Sequence, residues 1–274
     1  LPRACMALSA GFALGVAGSV YQCVFQNPLA SPDIIGVASG ASAGAAMAVL
    51  LFGGGVAVTA LWAFAGGFLA VLAALALSAL SSRRGIANLV LSGIVVNALA
   101  QSVLMLMKLA ADPEKELASI EFWTMGSFAD ITLSKLMGTL PWILLGLAGL
   151  FALRRQIVLL GLDEDDAQML GVPVKYMRPA ILMLATLATG AVISVTGLIA
   201  FIGLLAPHIA RLLTRNGRFS TAVLAGLCGG ILMLLSDVLA RSIGDSEVPI
   251  SIITSMLGAP FLFWLMCGKE DLHG

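Results

Sequence analysis

The sequence predicts an all-α integral membrane protein: a polytopic helical bundle of about nine spans, forming one domain over residues 1–274. Two observations predict it. The chain is 59% hydrophobic and 11% charged, whereas soluble domains run near 45–50% apolar and ~25% charged. Its charges are also clustered. No Asp, Glu, Lys or Arg falls between Arg3 and Asp33, Asp33 and Arg83, Arg84 and Lys108, Arg178 and Arg211, Arg218 and Asp237, or Glu247 and Lys269. Several of these gaps hold one crossing of ~20 apolar residues, and the second holds two.

In order, the spans fall at 4–24, 34–53, 56–80, 87–110, 136–153, 178–197, 199–213, 220–242 and 248–267. The sixth and seventh are divided only by a tight turn near Gly197, so one of them is short or broken. The pairs Gly11/Gly15, Gly36/Gly40, Gly40/Gly44 and Gly226/Gly230 are small-x-x-x-small repeats. They signal close helix packing, because lipid supplies no hydrophobic drive for helix association. The first span directly follows Leu1-Pro2-Arg3 and carries no cleavage-site pattern, so it is a membrane helix and not a signal peptide.

Lys and Arg set the orientation. One set of loops holds Arg83, Arg84, Arg154, Arg155, Lys175, Arg178, Arg211, Arg215, Arg218 and Lys269; the other holds only Arg3, Lys108, Lys115, Lys135 and Arg241. The richer side is the cytoplasm, which puts residue 1 outside and residue 274 inside. The loop 111–135 then lies outside, with Phe122 and Trp123 at the interface. The loop 154–178 lies inside and carries Asp163-Glu164-Asp165-Asp166. Asp163 caps a short helix running to Leu170, Gly171 ends it and Pro173 follows, which makes a soluble element suited to docking a partner.

Zero net charge shows no basic face for nucleic acid. There is no G-x-x-x-x-G-K-[ST], H-E-x-x-H or G-x-S-x-G, so no P-loop, zinc-protease or hydrolase signature is present. Cys5, Cys23, Cys228 and Cys267 form no C-x-x-C pair, and His208 and His273 are far apart, so the chain is expected to hold no metal or cofactor. Three polar features remain. Asp237 and Arg241, four apart, share a helix face as a local ion pair or an outer binding site. Pro207-His208 fits a kink with a hydrogen-bonded histidine. The fourth span carries Asn88, Ser92, Asn97, Gln101 and Ser102 at helical spacing, a stripe for interhelical bonding or for lining a wet path.

Several blocks together resemble the FecCD family of binding-protein-dependent permeases. They are Leu1-Pro2-Arg3 with Gln22, the run Asn27-Pro28-Leu29-Ala30-Ser31-Pro32, and Gly36 to Ala41. Further along come Phe122 to Ser127, Ala167 to Val172, Gly197 to Arg211, Ser236 to Arg241, Glu247 to Ile250, and Leu257 to Phe261. The likeness covers essentially the whole chain, in order. It implies import of ferric siderophore, haem or cobalamin by two permease chains, expected here as a homodimer in the bacterial inner membrane. It also implies two cytoplasmic ATPases and an extracytoplasmic binding protein. The missing P-loop agrees, since ATP must then be hydrolysed on another chain. Family members have ten spans, and this chain begins where their second begins, so an upstream segment is expected.

The resemblance also assigns sites. Asn27 and Leu29 with Gly85 and Ile86 form an inner gate, while Asn97 and Gln101 as the lining of the path above it rest on the polar stripe of the fourth span. Glu164, Asp165, Ala167, Leu170 and Gly171 couple to the ATPase. Arg3 and Arg241 dock the binding protein, where a guanidinium would grip a carboxylate through two hydrogen bonds. The rivals are an intramembrane enzyme and a stand-alone channel or secondary transporter. Either needs buried ionisable groups at midplane, which the spans largely lack.

Overall fold

The computed structural model describes residues 1–81, 85–214, 219–243 and 247–267. Five cations of the orientation argument, Arg83, Arg84, Arg215, Arg218 and Lys269, lie outside the described residues. The elements run α1 (Pro2–Val24), a 3-10 turn (Pro32–Ile35), α2 (Val37–Phe52), α3 (Val56–Leu80), α4 (Ile86–Ala110), α5 (Glu116–Met125) and α6 (Leu133–Ala152). Then come α7 (Arg154–Leu159), α8 (Glu164–Met169), α9 (Val174–Thr196), α10 (Ile202–Thr214), α11 (Phe219–Ser242) and α12 (Ile250–Cys267). No strand occurs among the described residues. Six helices, α1, α3, α4, α6, α9 and α11, are long and apolar enough to cross a membrane, while α2, α10 and α12 are apolar but shorter. Each of the nine expected stretches overlaps one of these helices, six of which have the length and hydropathy of a crossing.

α1 is the hub and packs on α11, α10 and α9. Its glycines explain the fit. A methyl on Gly11 would strike the Gly229 backbone, and one on Gly15 would strike the Ala225 carbonyl. Gly40 meets Gly66 and Gly44 meets Trp62 in the same way, joining α2 to α3. The expected small-residue repeats thus bring backbones into contact. Gly36 is the exception. It caps α2 with φ of 85°, a left-handed conformation that glycine adopts without strain, and sits outside the helix.

Two departures from the expected spans bear on function. The second span starts three residues later than expected, at Val37, because residues 25–36 are irregular apart from the 3-10 turn. The outer loop is not open either. It folds into α5, and Gly126 just after it packs against Gly197 while its carbonyl receives the Ile250 N–H at 2.9 Å. Lys108 at the end of α4 pairs with Glu121 of α5 at 2.8 Å.

Candidate translocation path and docking faces

After α1 the chain turns through Asn27-Pro28-Leu29-Ala30. The Asn27 side-chain oxygen accepts from the Leu29 N–H at 2.9 Å, and its carbonyl accepts from Ala30 at 3.0 Å. A short amide side chain that bonds its own backbone two residues on is what builds such a turn. Leu29 is left 58% exposed. Before the turn, Gln26 adopts a φ of 49° and donates to the carbonyls of Leu160 and Leu162, in the segment joining α7 to α8. Sequence reasoning passed over Gln26, because its partners are backbone atoms 134 and 136 positions away.

The chain then climbs back into the bundle. The Ile34 carbonyl lies against Gly93 of α4, and Gly36 lies against Val96 and the Asn97 backbone. Pro32 touches Gly203 of α10, which in turn packs on Gly18 of α1. At 1.5 Å per helical residue, Gly93 is about 10 Å from the inner end of α4 and Gly18 about 9 Å from that of α1. Both rulers put the 3-10 turn about two helical turns in from the ends of these helices, and inside a membrane irregular backbone persists only if covered by protein or facing water.

The α4 stripe divides in two. Asn88 donates to the Ser78 carbonyl and hydroxyl of α3 at 2.9 and 3.1 Å, and buried Ser92 bonds back to the Asn88 carbonyl at 2.9 Å. Those residues serve packing. Ser102 likewise bonds back to Ala98 at 2.9 Å. Asn97 is half-buried and Gln101 exposed, on a helix otherwise studded with uncovered Leu91, Ile94 and Leu99.

At the α8 end of the bundle, a cavity of about 840 Å³ is lined by Gly85 and Asn88 from α4 and its approach, and by Glu164, Gly171 and Arg178 from the α8–α9 region. Asn27 lines a different cavity of about 280 Å³, with Gln22, Cys23 and Arg211. The two halves of the expected gate, Asn27 and Gly85, therefore do not share a cavity within one chain, and Ile86, half-buried, opens α4 beside Gly85.

α8 is shorter than expected. Asp163 holds the N-cap position but its side chain makes no capping hydrogen bond. Glu164 instead pairs with Arg178 at 3.2 Å. Ala167 faces inward with no exposure, so it seats the helix and is not part of an outer surface, contrary to expectation. Asp165 is exposed, as are Leu170 at 54% and Gly171, which turns the chain with φ of 83°. Met169, 86% exposed, belongs with them and was missed because a lone methionine gives no sequence signal.

At the N-terminal end of α1, Arg3 bridges two carboxylates. It reaches buried Asp237 at 2.7 Å and Glu247 at 2.7 Å. Arg241 shares Asp237 at 3.2 Å but stays 47% exposed. The expected Asp237–Arg241 pair is present, yet Asp237 is held more closely by Arg3. His208 bonds the Leu204 carbonyl through Nδ1 at 2.8 Å one residue after Pro207, as expected of a structural histidine. No cluster of metal-ligating side chains occurs among the described residues, and Cys5, Cys23 and Cys228 are free.

A bundle of apolar helices, six of them long and apolar enough to cross a membrane, is that of a multi-pass membrane protein. The chain belongs to the FecCD transport family, whose family model matches residues 1–268. It is 35% identical to a probable iron chelatin transport system permease protein of Helicobacter pylori, over 97% of this chain and 80% of that protein. It is 36% identical to the molybdate import system permease protein MolB of Haemophilus influenzae, over 100% and 81%. It superposes on a solved inward-facing ABC transporter of metal-chelate type with a TM-score of 0.90 at 35% identity, covering 98% of this chain and 87% of that one. Such permeases work with ATPase and binding-protein components, and ATP is hydrolysed on a separate subunit.

Proposed function

We propose that this chain is the membrane-spanning permease of a bacterial ABC importer that carries an iron chelate, either siderophore or haem, or a related metal complex such as cobalamin, into the cytoplasm. Two copies form a homodimer with Asn97 and Gln101 lining the path between them. Asn27 and Leu29 of one copy and Gly85 and Ile86 close its inner end. Two ATPase subunits seat on Glu164, Asp165, Leu170 and Gly171, and the binding protein docks at the opposite face, where Arg241 is available and Arg3 is partly occupied. Residue 1 lies outside and the C-terminus in the cytoplasm. The metal is cargo, and the chain holds no cofactor of its own.

The observation that carries this reading is α8, an acidic helix with uncovered Met169 and Leu170 that shares a cavity with the start of α4. A docked ATPase could move α4 through it. Charge reversal at Glu164 and Asp165 tests it. The ATPase subunit should dissociate, or its hydrolysis should lose stimulation by cargo-loaded binding protein. Unchanged co-purification and unchanged coupled transport would overturn it. Relatives named for an iron chelate and for molybdate match about equally well, so overall similarity does not choose the charge of the cargo.

A further inference from the structure

We infer that Asp33 is a charge-selecting residue of the translocation path, disfavouring anionic cargo and favouring a neutral or cationic chelate. This rests on the path reading above. Asp33 sits in the 3-10 turn that packs on α4 at Gly93, with Gly36, three residues on, against Asn97. The turn therefore places Asp33 about 10–15 Å above the inner ends of the helices around it.

On the single chain Asp33 keeps exposed surface at that depth. It forms no salt bridge among the described residues, and its hydrogen-bond partner is Ser31. A carboxylate uncovered inside the hydrocarbon is expensive, and such groups face a bundle interior or water. Lipid is thus the wrong neighbour, and a second copy of the same elements supplies no cation. The sequence contains no Lys or Arg from residue 4 to residue 82, nor from 85 to 107, which covers nearly all of α1, the turn, α2, α3 and the inner part of α4. Of the other elements packed on the turn, α9 carries Lys175 and Arg178 only at its inner end, with Arg178 engaged with Glu164, and α10, which meets the turn at Gly203, carries His208 bonded to the Leu204 carbonyl and Arg211 about 12 Å further along the helix. What remains is water in the path.

Two-fold pairing of chains doubles the effect, since each copy contributes one Asp33. The α2 N-terminus next to it adds partial positive charge. That charge is the same in Asp33→Asn and drops out of a comparison between the two. A fixed charge at this depth acts on cargo after the binding protein has released it.

The test uses the assembled importer with its native cysteines replaced and Asn97→Cys as reporter. Cationic and anionic methanethiosulfonates of similar size are applied from the cytoplasmic side in each nucleotide state. With Asp33 present the cationic reagent should react faster. In Asp33→Asn the cation-to-anion rate ratio should fall by roughly five- to tenfold, as expected of losing the two Asp33 charges of the pair, each on the order of 10 Å away in a wet, salt-screened site. Asp33→Gln repeats the comparison should the asparagine variant assemble poorly. An unchanged ratio with a reactive cysteine overturns the role of Asp33 and leaves the path intact. A cysteine inert to both reagents in every state overturns the path and this inference together.

Discussion

Arg3 and Asp237 stand 234 positions apart and meet at 2.7 Å, fastening the outer end of α1 to that of α11. Asp237 is 2% exposed, while Arg3 keeps 19%. Breaking a buried pair strands a charge and costs several kcal/mol, and the partial exposure of Arg3 lowers that. Asp237→Asn should therefore destabilise the purified permease by about 1–3 kcal/mol, seen as a lower Tm. Arg241→Ala should shift Tm far less. Equal Tm for both variants would mean that the shared carboxylate does not hold the two helices.

The same arrangement separates the two outer arginines by role. Exposed rim charges act mainly on association rate and its salt dependence. Arg241→Glu should slow binding-protein docking and flatten its dependence on ionic strength, with basal ATP hydrolysis retained. Stopped-flow docking at low and high salt measures this. A wild-type rate and salt slope in Arg241→Glu would remove that residue from the docking face.

Gln26 ties the Asn27 turn to the segment ahead of α8. Gln26→Ala deletes both bonds without touching the exposed face of α8. The ATPase should still co-purify, while cargo moved per ATP drops by roughly 3- to 10-fold, the scale of one or two hydrogen bonds. A normal ratio of transport to hydrolysis in reconstituted vesicles would show that Gln26 transmits nothing.

Gly11→Ala places a methyl into the Gly229 carbonyl, whereas Gly138→Ala on α6 meets nothing within 4 Å. The first should cost more than about 2 kcal/mol through overpacking and reduce folded protein in the membrane. The second should be neutral or mildly favourable. Membrane abundance and Tm of the two variants decide this.

Much of the bundle was legible because it depends on local pattern. Charge-free runs marked the helices, and Gly11, Gly15, Gly40 and Gly44 marked where backbones touch. The Asn27-Pro28 block marked a turn, but not its depth. Depth comes from Gly93 and Gly203 making room for the Ile34 carbonyl and Pro32, and no local signal records that. α5 was invisible for a related reason. It is short and mixed in polarity, and it is held by Lys108 and by the contacts of Gly126 with the α9–α10 turn. At the candidate site, the Asn97–Gln101 stripe was readable from spacing. The sorting of Asn88 and Ser92 into packing roles required Ser78, which lies on another helix.

The glycine contacts between α1 and α11 also say where the molecule yields. Backbone pressed on backbone has no side-chain rotamers through which to give, so these helices translate and tilt as one plate. α3 and α4 differ, with 28% of their apolar stretch covered against 67% for α1 and α9. In mechanical terms, the chain is a stiff back wall carrying a compliant front panel. If an ATPase docks at α8 as proposed, its stroke would be spent on the panel, with the Arg3 clasp staying shut while it moves.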